Sequence, residues 1–201
     1  MIGNDVVDLV DADSRVAGHH PRFDERVFTP AERGLIAASP VGERVRWVLW
    51  AAKESAYKAA RRMDARTVFS PPRFVVRLGP DGAATVAADG RAFDVDLAAD
   101  DERVHAIARA RDCGEGMVYS AVARLGPGAA GDPPGAAVRR LTVTTLSRLL
   151  DIPEGDLALD RAARVPRLWL RGRPSTAAVS LSHHGRFVAF ACRWPGAGAA
   201  A

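Results

Sequence analysis

The sequence contains no glutamine, one asparagine (Asn4) and only two lysines, Lys53 and Lys58, against 26 arginines. Arginine is the default cation of this chain. Two lysines close together therefore mark either chance or a place where arginine does not serve. Lysine is a compact point charge that can release its proton, whereas the arginine fork is bulkier and stays charged. No apolar run approaches the roughly 18 residues that a membrane-crossing helix needs, so neither a membrane span nor a membrane partner is expected. The opening MIGNDVVDLV has no basic stretch ahead of an apolar one, which argues against a secretory signal and for a cytoplasmic location. The two cysteines, Cys113 and Cys192, lack metal-site spacing and read as reduced thiols. No tandem repeat of fixed period is visible.

What is present is unevenly spread. The net charge is +4, yet residues 139–201 hold ten arginines against four acids, a balance of +6. Residues 1–138 therefore sum to −2. Five arginines and no acid lie between Arg161 and Arg173. Such a patch suits an anionic partner: nucleic acid, an acidic protein or a polyphosphate.

Local patterns predict the elements. IGNDVVDLV reads as a buried strand. FTPAERGLIAAS announces a helix with Thr29 as N-cap, Pro30 first in the helix and Glu32 three after the cap. Gly42–Met63 has helical periodicity and strong helix formers in its second half. RFVVRL and AATVAA flank a hairpin turn at Asp81-Gly82. AFDVDLAA, VHAIARA and MVYSAVARL read as strands. GPGAAGDPPG is the clearest linker. Beyond it, VRRLTVTTLSRLLDI reads as an amphipathic helix closed by Pro153, LWL as a short strand, and AAVSLSHHGRFVAFACRW as two strands joined by a turn at Ser182–Arg186. The expected organisation is a first lobe over 1–125, a linker over 126–138, a second lobe over 139–195 and a disordered tail over 196–201. The class is α+β, with two pseudo-related lobes.

Three constellations can carry chemistry. In IGNDVVDL, Asp5 and Asp8 are three residues apart on a strand and so point to opposite faces. One acid faces a site, and the other ends the strand or caps the next segment. Gly3 permits close approach of another backbone or a ligand. In the long helix, Arg46, Trp50, Glu54 and Lys58 recur every fourth residue as one stripe, beside Lys53 and Tyr57. A carboxylate among apolar neighbours is costly unless it meets a cation. Flanked by two lysines, it suits a divalent metal and a pyrophosphate. In SLSHHGRF, hydroxyl, imidazole and guanidinium groups can bind phosphate. Adjacent histidines without a third ligand fit zinc poorly, and the G-x-S-x-G elbow of a serine hydrolase is missing.

Together these segments resemble the phosphopantetheinyl transferase superfamily. The resemblance rests on Gly3-Asn4-Asp5, on Trp50-Ala51-Ala52-Lys53-Glu54-Ser55-Ala56-Tyr57-Lys58 and on Ser180-Leu181-Ser182-His183. ERVFTPAER and FVVRL add to it. One departure is Val7, where the larger, surfactin-synthetase-activating type has a second acid. Asp8 resembles instead the acid of the small holo-acyl-carrier-protein synthase type. The Gly-Lys/Arg-Pro stretch of the larger type has only imperfect counterparts, Arg164-Val-Pro166 and Gly172-Arg-Pro174.

The resemblance implies a transfer of 4′-phosphopantetheine from coenzyme A to a serine of an apo carrier protein, with release of 3′,5′-ADP. It implies magnesium, or manganese in its place, held by Asp5 and Glu54. Glu54 and Lys58 are the catalytic candidates. Lys53, Lys58, Ser182, His183 and Arg46 are the candidates for binding coenzyme A. The implied partner is an acidic acyl or peptidyl carrier protein, of fatty acid, polyketide or nonribosomal peptide synthesis, and the implied state is a monomeric pseudo-dimer rather than a trimer. A catalytically silent relative that binds coenzyme A or a carrier protein is the alternative. A nucleic-acid-binding protein explains the arginines but neither the lysines nor Glu54, so no nucleic-acid partner is expected.

Overall fold

The structure, a computed structural model, describes residues 1–15, 20–80, 82–114, 116–126, 133–160 and 165–195. The tail expected over 196–201 lies outside them, as do residues 127–132 of the expected linker. The fold is mixed α/β. Among the described residues ten strands form two five-stranded sheets, and each of their pairings is antiparallel.

The first sheet holds β1 (Ile2–Asp8), β2 (Val75–Leu78), β3 (Ala83–Ala88), β4 (Arg91–Ala99) and β5 (Arg103–Ala110) in the order β1-β5-β4-β3-β2. Helix α3 (Gly42–Met63) lies against it, with the short α1 (Phe23–Val27) and α2 (Pro30–Ala38) ahead of α3. The bounds of α3 and the capping box of α2 are those the sequence predicts: Thr29 and Glu32 cap each other reciprocally. Ala51, Ala52, Ala56, Ala59 and Ala60 form the buried side of α3. These small residues let the helix approach β1 closely. At Gly3 a Cβ would stand 2.1 Å from the Ser55 carbonyl oxygen and 2.6 Å from the Ala59 nitrogen. The close approach expected at Gly3 is therefore to the helix backbone, and no larger residue fits.

The second sheet holds β6 (Gly116–Arg124), β7 (Leu157–Leu159), β8 (Arg167–Leu170), β9 (Arg173–His184) and β10 (Phe187–Pro195) in the order β6-β10-β9-β8-β7. Helix α4 (Pro134–Leu150) packs on it around Val138, Leu146, Val179, Val188 and Phe190. Helix α4 starts at Pro134, inside the segment read as linker, because proline favours the first helical turn. The turn expected over Ser182–Arg186 is also shorter. β9 runs on through His184, and Gly185-Arg186 alone connects it to β10.

The two sheets meet at β1. Ile2 packs with Ala178 and Ala191, and Val6 with Phe187 and Ala189. Asp8 ends β1. Its buried carboxylate caps Val10 and receives a two-pronged ion pair from Arg186, in the turn of the other sheet. Those bonds hold its pKa down to about 2, against the opposing effect of burial. One acid of the strand thus ties the halves together and the other is left for the site.

Candidate functional site

Glu54 and Lys58 are one turn apart on α3, and Asp5 lies beside them on β1. The Lys58 ammonium donates to Asp5 Oδ1 at 2.7 Å and to the Asn4 carbonyl at 3.0 Å. Ser182 Oγ, from β9, donates to the same Asp5 oxygen at 2.9 Å. The site is therefore assembled from both sheets. Glu54 differs from Asp5 in having no hydrogen-bond or ion-pair partner among the described residues. Its pKa is pushed up to about 7, first by burial and then by the Asp5 charge, with Lys58 opposing. Two carboxylates with a single lysine between them leave the pocket short of positive charge.

These residues border a cleft of about 280 Å³ whose other walls include Trp47, Trp50, Leu181, His183 and His184. A second cleft, of about 370 Å³, shares Lys58, Leu181 and His183 with the first. Its remaining walls include Tyr57, Arg61, Arg62, Arg139 and Pro166, with no acidic residue among the described residues that line it. Arg62 donates to the carbonyls of Pro166 and Val179, both in the other half of the chain. Burial lowers its pKa to about 10. Arg139 bonds the Gly135 carbonyl at 2.6 Å, and its Nε is buried without a partner. Burial, Lys58 and His184 lower the pKa of His183, against the opposing charge of Asp5. The pair of clefts thus runs from an acid-rich end to an arginine-rich end, with Lys58 and His183 at the junction.

Two of the sequence candidates are elsewhere. Lys53 is fully buried and faces away from both clefts. Its ammonium pairs with Glu32 at 2.8 Å and donates to the carbonyls of Pro71 and Phe74. Arg46 forks onto Asp24 through two bonds of 2.8 Å and lines neither cleft. Ser182 reaches the site, but its hydroxyl is engaged by protein groups: Asp5, Lys58 and the Val6 backbone. Pro166 of the stretch Arg164-Val-Pro166 borders the second cleft, and Arg164 lies outside the described residues. Gly172-Arg-Pro174 borders neither cleft.

Sequence reasoning missed Arg61, Arg62 and Arg139. Arg62 had a visible signal, because it continues the stripe Arg46, Trp50, Glu54, Lys58 by one more step of four. Arg139 had none, since its place depends on how α4 packs.

Metal fit can be judged from these groups. Among the described residues no three or more His, Cys, Asp or Glu side chains gather as metal ligands. A bound ion would therefore rest on two carboxylates, with water and ligand oxygens completing its shell, which is the usual habit of magnesium. The unpartnered Glu54 beside Asp5 is the feature that fits a cation.

No curated protein matches the chain. Residues 1–109 match the model of the 4′-phosphopantetheinyl transferase superfamily. That match spans β1, α3 and all of the first sheet but Ala110, including Asp5, Glu54 and Lys58, and covers more than half of the sequence. The chain belongs to the 4′-phosphopantetheinyl transferase superfamily.

Proposed function

We propose that the protein transfers 4′-phosphopantetheine from coenzyme A to a serine hydroxyl of an apo carrier protein. The observation that carries this reading is the unpartnered Glu54 beside Asp5 and Lys58, lining a cleft that shares walls with an arginine-rich pocket. Coenzyme A is an extended polyanion with a pyrophosphate near its middle and a further phosphate on its ribose. In this reading the two halves act as two lobes, and coenzyme A lies across both clefts at their joint. Its pyrophosphate sits near Glu54, Asp5 and Lys58. Its nucleotide end enters the second cleft, where Arg61, Arg62 and Arg139 supply positive charge and hydrogen-bond donors and His183 supplies a further ring nitrogen for hydrogen bonding.

Asp5 and Glu54 would hold magnesium, or manganese, which when bound offsets negative charge on the pyrophosphate. Lys58 adds a compact cation at the junction of the clefts. The carrier serine oxygen attacks the β-phosphorus of coenzyme A, the bond from that phosphorus to the bridging oxygen breaks, and 3′,5′-ADP leaves. The serine proton must be accepted nearby. A carboxyl whose pKa lies near neutrality is matched to that task, which favours Glu54. Lys53 and Arg46 have no part in this proposal, because burial and Asp24 occupy them.

The test is mass spectrometry of apo carrier proteins of fatty acid, polyketide and nonribosomal peptide synthesis incubated with the protein, coenzyme A and magnesium. The expected result is a pantetheine mass gain on one serine that disappears with chelator. Tight coenzyme A binding with no mass gain on any carrier would favour the silent, ligand-binding relative instead.

A further inference from the structure

The joint between the sheets is made by side chains. One edge of β1 pairs with β5, and the backbone N–H groups of Asn4, Val6 and Asp8 point the other way. An open edge with unpaired N–H groups is costly when buried. Here alternate residues of β9 close it. Ser180 Oγ accepts from Asn4 N–H at 2.9 Å, Ser182 Oγ from Val6 N–H at 3.2 Å, and His184 Nδ1 from Asp8 N–H at 3.0 Å. Residues two apart on a strand share a face, so Ser-x-Ser-x-His is spaced as a ladder of acceptors. Leu181 and His183, between the rungs, border both clefts, while Ser182 and His184 border the first and Ser180 the second.

The middle rung differs from its neighbours. A serine hydroxyl has one donor proton and two acceptor lone pairs. In Ser182 the proton goes to Asp5 Oδ1 at 2.9 Å, and the lone pairs receive Val6 N–H and the Lys58 ammonium at 3.2 and 3.3 Å. Its capacity is used up by the protein, and the residue is 6% exposed. Nothing remains with which to bind a phosphate. The same oxygen sits between the acid and the lysine of the site, and the β1 backbone fixes its position.

We propose that Ser182 is a positioning residue: its hydroxyl, pinned by Val6 N–H, sets the Asp5 carboxylate and the Lys58 ammonium in place across the sheet joint and makes no contact with the ligand. The proposal rests on the reading of Asp5 and Lys58 as transfer residues. It assigns ligand contact within Ser182-His183 to His183 alone.

Ser180 provides the control, because it forms the same kind of rung without touching Asp5 or Lys58. The full chain is compared with Ser182→Ala, Ser182→Thr and Ser180→Ala in two measurements, after thermal melts establish folding. The first is the rate at which an amine reagent modifies Lys58 in metal-free protein at one fixed pH, read by peptide mass. The only other lysine, Lys53, is fully buried and acts as an internal reference. The second is the Mn²⁺ dissociation constant. A hydrogen bond to a charged group corresponds to about a tenfold change or more. Ser182→Ala should therefore label Lys58 about tenfold faster and bind Mn²⁺ about tenfold more weakly. Ser180→Ala should stay within about twofold of wild type, and Ser182→Thr, which keeps the hydroxyl, should recover most of the loss. Equal effects of Ser182→Ala and Ser180→Ala would overturn the proposal, leaving Ser182 as one rung among three. Unchanged labelling with a raised Michaelis constant for coenzyme A would overturn it in favour of ligand contact. If wild type bound no Mn²⁺, the metal reading would fall, and the labelling arm would still decide Ser182. Should Ser182→Ala not fold, Ser182→Cys keeps the volume with only a weak donor and takes its place.

Discussion

The chain's two lysines sit on one helix, five residues apart, in opposite surroundings. Lys53 lies behind α3, with its side chain fully buried against Glu32 and two backbone carbonyls. Lys58 lies in front, part-exposed between Asp5 and both clefts. The same scarcity in the sequence thus has two causes. Behind the helix, a buried cation must be thin enough to pass between packed side chains and reach its partners. At the front, a compact charge must sit among several oxygens that ligand and protein share. Glu32 shows how the rear site is stabilised. Its Oε2 accepts from Thr29 N–H and Lys53, and its Oε1 accepts from Val76 N–H. One carboxylate caps α2, anchors β2 and neutralises the helix behind the site. Front and back therefore differ in what a mutation removes: structure behind and, on the proposed function, chemistry in front.

The largest expected effect separates them. Lys53→Ala strands the Glu32 charge in the core, and breaking a buried pair from one side costs about 3–5 kcal/mol. Against a total stability of about 5–15 kcal/mol, the variant should lose much of its denaturation midpoint. Lys58→Ala should melt close to wild type yet lose transfer. Urea denaturation of both variants checks this; equal losses of stability would erase the distinction. Lys53→Arg should also destabilise, by about 1–3 kcal/mol, because the fork overpacks a filled site.

Next in size is Glu54→Gln, expected to lower transfer by about a hundred- to a thousandfold, or 3–4 kcal/mol of barrier. The same variant sharpens the comparison through stability. In the metal-free protein the Glu54 pKa is raised from 4.5 to about 7. Between those values the folded state keeps a proton that the unfolded chain has released, so wild-type stability falls as pH rises through the window. Glutamine never ionises. Metal-free Glu54→Gln should therefore match wild type near pH 4 and exceed it above pH 7, on the order of 1 kcal/mol after allowance for solvent screening. Saturating Mg²⁺ should reduce or reverse the gap. A variant less stable than wild type at pH 8 without metal would show that the site does not strain Glu54.

Legibility in the sequence tracked the range of each interaction. The capping box of α2 and the ends of α3 depend on residues three or four apart, and both were readable. So was the division of labour between Asp5 and Asp8, which strand alternation dictates. The counter-ion of Lys53 was not: Glu32 lies on another helix, and its local role in the capping box hid the distant one. The partners of the Ser182 hydroxyl were not readable either, because a motif shows which side chains gather but not how their donors and lone pairs are shared. The short elements α1 and β7 gave no periodic signal, being five and three residues long.

The smallest expected effect concerns the outer surface, where the comparison extends from buried charge to free charge. Arg171 and Arg173 flank Gly172, and both Arg171 and Gly172 have positive φ in the β8–β9 hairpin. Arg171 is not a free charge, since Asp156 accepts from it at 2.9 Å. Arg167 and Arg173 are exposed and make no ion pair among the described residues. They are therefore the better choice for attracting an acidic carrier protein at a distance. Charge at an exposed surface is screened over about 8–10 Å at physiological ionic strength, whereas charge in a partly closed cleft is screened less. Steering also acts on association more than on the lifetime of the complex. Arg167→Glu with Arg173→Glu should slow carrier association about three- to tenfold at low salt, with the difference shrinking as salt rises. Coenzyme A binding should change little, because neither residue borders the clefts. Stopped-flow association measured from low to physiological salt gives the answer. A loss that persisted at high salt would place these arginines in a direct contact, and no loss at any salt would move the encounter surface to another face of the protein.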